Sequence, residues 1–98
     1  MYVVRDVFHL KFGHFKDAKE LLSQATGADL IPQAISKRVL TDFTGDSYRL
    51  ILEMEHESLG KYEQTMQDSM GKKEWKDWYE NFKQHVDSSH REILKIVF

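Results

Sequence analysis

Ninety-eight residues, 41% of them apolar and one a proline, describe a single small domain, 1–98, with a modest core. Fourteen Lys and Arg stand against sixteen Asp and Glu, so the formal charge of -2 gives no reason to expect a general nucleic-acid-binding field. The absence of cysteine excludes disulfide staples, thiolate nucleophiles and cysteine-held zinc or iron–sulfur centres.

The opening stretch "MYVVRDVFHLKF" carries Arg5 and Asp6 inside its apolar run and lacks both a basic start and a small-residue cleavage site, so it reads as a strand and not as a signal peptide. Within Tyr2–Lys11, residues Tyr2, Val4, Phe8 and Leu10 share one face, while Val3, Arg5, Val7, His9 and Lys11 share the other. Gly13 is placed to turn the chain into a helix, where Phe15, Ala18, Leu21, Leu22 and Ala25 recur at helical spacing. Gly27 follows the last of them and is expected in a left-handed cap.

After Pro32, the segment "QAISKRVLTDF" predicts a second strand, and "TGDS" predicts the turn into a third. In that third strand Tyr48, Leu50, Leu52 and Met54 alternate with Arg49, Ile51, Glu53 and Glu55. Helical spacing returns from Ser58, with Leu59, Tyr62, Met66 and Met70 on one stripe and a break at Gly71. A further helical piece from Lys72 or Lys73 places Trp75, Trp78, Tyr79, Phe82 and Val86 three or four residues apart. "DSS" then loosens the chain before "HREILKIVF", which predicts a terminal strand. No apolar run approaches the roughly 18 residues of a membrane span, so neither a membrane nor a nucleic acid is expected as a partner, and the cytoplasm is the expected location.

The order β-α-β-β-α-β defines an α+β, ferredoxin-like sandwich with helices on one face of an antiparallel sheet. The other face carries Val3, Val7, Ile51 and either Val39 or Leu40 among charged groups. A second copy of the sheet would cover those apolar parts, so a homodimer is expected.

Three stretches resemble the dimeric α+β barrel superfamily, in particular its NIPSNAP-like and antibiotic-biosynthesis-monooxygenase-like members: "VVRDVFHLKFGHFKDAKELL", "GDSYRLILEMEHESLGKYEQ" and "KKEWKDWYENF". The resemblance implies two ferredoxin-like domains with their sheets face to face and a pocket between each sheet and its helices. Among such proteins some oxidise polyketide-like aromatic compounds without a cofactor, some cleave haem, and others are isomerases or dismutases. The haem-degrading pattern of a first-strand asparagine and an iron-binding histidine in the second helical region is not met. His9 and Lys11 occupy the relevant part of the first strand, the sole asparagine is Asn81, and "EWKDW" offers Asp77 and Trp78 where histidine is needed. No cofactor is expected.

His9 is the candidate catalytic base, because histidine titrates near neutral pH. Tyr62, Trp75, Trp78 and Tyr79 are the candidate substrate-binding residues, although the same spacing describes an ordinary buried helical stripe. Glu53 and Glu55 are placed to approach Arg5 or Arg38 across strands, to meet a partner subunit, or to face solvent. The five histidines show no metal-ligand spacing. The expected role is thus a homodimer that binds a small apolar or aromatic ligand. Its alternatives are a cofactor-independent monooxygenase and a noncatalytic stress or assembly protein.

Overall fold

Alternation over the first residues does produce a strand. In the computed structural model, which describes residues 1–98, β1 runs Tyr2–Leu10 and is followed by helix α1, Phe15–Gly27. Strands β2, Ser36–Thr41, and β3, Arg49–His56, form the hairpin. Helices α2, Leu59–Met70, and α3, Lys73–Phe82, follow, and a 3-10 turn over Lys83–His85 leads into β4, Val86–Lys95. The sheet order is β2-β3-β1-β4 with every pair antiparallel, which is the ferredoxin-like arrangement. No helix is long and apolar enough to cross a membrane.

Local chemistry explains the boundaries. Gly13 takes φ +85, a left-handed conformation that turns β1 into α1 without a Cβ clash. The far end of α1 departs from expectation: Gly27 is still helical, and the left-handed residue is Asp29 at φ 57. The N–H of Leu30 bonds to the carbonyl of Ala25, and that of Asp29 to the carbonyl of Thr26, closing the helix two residues later than glycine alone suggested. Aspartate tolerates this conformation better than most side chains. At the start of α2 the Ser58 hydroxyl accepts from the N–H of Lys61, 3.1 Å away, a standard N-cap that satisfies one orphan donor.

Two further expectations are corrected at the carboxyl end. Val86 does not continue the helical stripe, because α3 stops at Phe82 and Val86 opens β4 opposite Leu10. "DSS" is not a loosened link: Ser88 and Ser89 pair with His9 and Phe8 inside the strand. Their weak β-propensity is overridden by the ladder, which gives the upper half of β1 its second partner. A register shift between His9 and Leu10 accommodates the change. Beyond β4 the Ile96 N–H still bonds to the carbonyl of Met1, so the terminal segment pairs within its own chain.

The helix-facing rows of the sheet build the core. Leu50, Leu52 and Met54 of β3 pack with Leu10 of β1, with Ala18, Leu22 and Ala25 of α1, and with Phe82 of α3. Register places Val39 beside Leu52 on this side and Leu40 beside Ile51 on the other.

That other face is open and is organised in rows. One row alternates in charge across all four strands: Arg38 of β2, Glu53 of β3, Arg5 of β1 and Glu92 of β4. Glu53 accepts from Arg38 at 2.6 Å and from Arg5 at 3.1 Å, and Arg5 reaches Glu92 at 3.5 Å. The Arg38 bond holds the Glu53 carboxyl below its ordinary 4.5 against the opposing effect of burial, and Arg5 assists. Glu55 instead accepts from the Ser36 hydroxyl, and Arg49 turns away to Asp42 in the hairpin connection. Rows of apolar side chains flank the charges, Leu40–Ile51–Val7 on one side and Val3–Leu94 on the other.

Candidate functional site

The spacing of Trp75, Trp78, Tyr79 and Phe82 sets one aromatic stripe along α3, buried at Phe82, half-buried at Trp75 and Trp78, and exposed at Tyr79. Phe82 is the anchor, 1% exposed, with its ring edge-on to Phe8 of β1 at 5.0 Å. Trp78 stacks on Phe82 with centroids 4.8 Å apart, and its indole N–H donates to the carbonyl of Leu21 at 2.7 Å, tying α3 to α1. One turn earlier Trp75 stacks on Tyr79 at 5.0 Å. With Trp75 and Trp78 only half-buried and Tyr79 exposed, the stripe closes incompletely over the buried Leu52 and Met54 of β3.

The result is a cavity of about 350 Å³ between the sheet and helices α2 and α3, with ten of its fifteen lining residues hydrophobic. Trp75, Trp78, Tyr79 and Phe82 form one wall, and Phe8, Leu52 and Met54 form the floor. Polar groups enter from the β1 and β4 side. Asp6 sits on the helix-facing side of β1 and is only 9% exposed, and Arg91, directly opposite in register, donates its Nε–H to Asp6 Oδ1 at 2.5 Å. Both side chains line the cavity. A carboxylate on an apolar strand face is costly unless it is paired, and the cross-strand arginine supplies that pair.

Behind Arg91 lies a second polar group. The guanidinium carbon is 5.9 Å from the centroid of the Tyr62 ring, and Tyr62 packs on His56 with ring centroids 5.0 Å apart. Neither the Tyr62 hydroxyl nor His56 Nε2 has a hydrogen-bond partner. Burial raises the Tyr62 phenol above its ordinary 10.0, against the opposing charge of Arg91. Burial also lowers the His56 imidazole below its ordinary 6.5, so the folded chain holds it neutral.

The His56 shift has a sign. A histidine whose folded pKa lies below its unfolded value binds its proton more readily in the unfolded chain, so stability is full above about pH 6.5 and declines as the pH falls toward the folded pKa. Urea unfolding at pH 7.5 and 5.5 is expected to show a lower midpoint at the acid value, and His56→Gln is expected to flatten that difference. An equally steep decline in the variant would assign the slope to other groups.

The structure brings Trp75, Trp78 and Tyr79 together at the cavity wall. Tyr62 is buried next to Arg91 but is not among the lining residues. His9 is on the opposite, open face of the sheet, where its ring lies 5.6 Å from that of His90, and it is not brought together with the aromatic wall. Asp6 and Arg91 escaped the sequence reading as a pair. The available signal was Asp6 itself, an acid interrupting the apolar row Tyr2, Val4, Phe8 and Leu10. No cluster of three or more His, Asp or Glu side chains is positioned to hold a metal ion.

No protein-family model matches the chain, and no curated protein matches it in sequence. Solved structures do match. An uncharacterized NIPSNAP-domain protein from Burkholderia xenovorans superposes with a TM-score of 0.88 at 11% identity, over 99% of this chain and 95% of that one. A NIPSNAP-family protein from Agrobacterium tumefaciens gives 0.82 at 15% identity, over 96% and 90% of the two chains. A protein from Nitrosomonas europaea, provisionally assigned as an antibiotic biosynthesis monooxygenase, gives 0.76 at 14% identity over the whole of both. The chain therefore has the ferredoxin-like α+β fold shared by NIPSNAP-domain and antibiotic-biosynthesis-monooxygenase-like structures. At these identities the likeness establishes fold and leaves chemistry to the site.

Proposed function

We propose that this protein is a homodimer that binds a small apolar or aromatic molecule in the cavity behind each sheet. The cavity carries the reading: its volume of about 350 Å³ falls within the range of small-molecule pockets, and its aromatic wall meets a short polar edge of Asp6, Ser89, His90 and Arg91. Trp75 and Tyr79 stack on each other at its wall, and Tyr79 stays exposed where a residue serving packing alone would be buried. The reading is one of binding, and it gives His9 no part in the cavity. The cysteine-free composition agrees with a reducing compartment such as the cytoplasm.

Charge complementarity supports a second copy on the open face. Reversing the strand order about a two-fold axis that runs along the strands, between β3 and β1, sets Arg38 opposite Glu92 of the second copy and Glu53 opposite its Arg5. Opposite charges then meet throughout the row, and Ile51, Leu40, Val3 and Leu94 lose their exposure to water on either side. A two-fold axis across the strands would instead set Arg38 against Arg38.

Native mass spectrometry of protein purified without denaturation tests the ligand. The expected result is extra mass on each chain that disappears on denaturation. Absence of that mass, together with no heat of binding for bicyclic aromatic compounds added to the purified protein, would defeat the reading.

A further inference from the structure

The apolar wall of the cavity does not discriminate among flat molecules of similar size; any selectivity has to come from the polar end. That end is unusual in being neutral as a unit. Asp6 and Arg91 are directly opposite in the sheet, and one carboxylate oxygen is bound by the arginine Nε–H. The bond uses Nε of Arg91 and Oδ1 of Asp6, so Asp6 Oδ2 keeps acceptor capacity and the Nη groups, next to Tyr62, keep donor capacity, and both residues line the cavity. One acceptor and a set of donors therefore sit side by side at the edge of an apolar space.

Resting on the cavity reading above, the geometry points to a ligand with a neutral head that both donates and accepts a hydrogen bond, such as a hydroxyl or a primary amide, held between Asp6 Oδ2 and an Nη–H of Arg91. A hydroxyl satisfies both groups at once by donating to the carboxylate and accepting from the guanidinium. An ionised carboxylate accepts from Arg91 but meets the Asp6 charge at close range. A purely apolar ligand strips water from both charged groups and returns no bond to either. Asp6 and Arg91 act here as specificity determinants. Their existing bond orients them, so little ordering is left to the moment of binding.

The test uses three probes of one shape, 2-naphthol, 2-methylnaphthalene and 2-naphthoate, titrated calorimetrically at pH 7 against the wild-type chain and the double variant Asp6→Leu/Arg91→Met. Asp6 is nearly buried while Arg91 is half-exposed, and replacing both by apolar residues of similar size leaves no unpaired carboxylate against the apolar strand face. In the wild type 2-naphthol is expected to bind at least about tenfold more tightly than either of the others, the worth of one charge-assisted bond. In the double variant 2-naphthol is expected to lose that advantage while 2-methylnaphthalene still binds, which also reports an intact cavity. Equal binding of 2-naphthol and 2-methylnaphthalene by the wild type would overturn the inference and leave the cavity reading standing. Tightest binding of 2-naphthoate would overturn it in favour of an anion receptor at Arg91, and an undiminished preference in the double variant would place the determinant elsewhere. Failure of all three probes to bind the wild type would count against the cavity reading itself, and this inference would fall with it.

Discussion

Phe82→Ala is expected to remove about 3–5 kcal/mol of folding stability, the range for truncating a well-packed buried aromatic. Phe82 joins three elements at one point: its ring meets Phe8 of β1 edge-on, Trp78 stacks on it, and it belongs to the cluster formed by Leu22 of α1 and Leu50 of β3. Dispersion contacts in a filled core are lost outright when the filling is removed, and α3 is too short to hold its position without them. Domains of this size have about 5–15 kcal/mol in total, so the variant is expected to sit near the edge of folding at 37 °C. Urea denaturation checks this through a lowered midpoint at unchanged slope. A loss below about 1 kcal/mol would mean that α3 is anchored through other contacts.

The second large effect concerns association. Ile51 lies in the middle of the open face, between Val7 and Leu40 in register and next to the row of paired charges. Ile51→Lys adds a positive charge with no partner to a surface whose Arg and Glu side chains are already matched. Burying an unpaired ammonium against a second sheet costs several kcal/mol, so the proposed dimer is expected to weaken by at least about a hundredfold. The chain itself is expected to stay folded, because Ile51 is half-exposed before any partner arrives. Light scattering behind a sizing column distinguishes the outcomes. A dimeric variant with the same mass as the wild type would contradict an interface on this face.

How far the residues announced this arrangement depends on how local each feature is. The stripe of Trp75, Trp78, Tyr79 and Phe82 is a property of one helix and was readable from spacing alone. The face of His9 was equally readable from its place in β1, although the alternation there is imperfect; which face the cavity would take depends on where α3 lies, and spacing does not supply that. Pairing is different. Asp6 and Arg91 are 85 residues apart and meet only because β4 is in one particular register with β1, and that register includes an irregularity between His9 and Leu10. The early start of β4 was hidden for a related reason: Asp87, Ser88 and Ser89 have side chains typical of loops, and the backbone bonds that hold them extended come from a strand at the other end of the chain. At the end of α1 glycine drew the expected cap, yet the bonds from Asp29 and Leu30 close the helix further on.

A charged row matched within itself and bordered by apolar side chains is the feature on which the proposed assembly rests, and it is the part most directly open to measurement. Sedimentation equilibrium of the wild-type protein, from low to high micromolar concentration in moderate salt, is expected to give a species of twice the 11.6 kDa chain mass. A single species of one chain mass, persisting to the highest concentration, would contradict it.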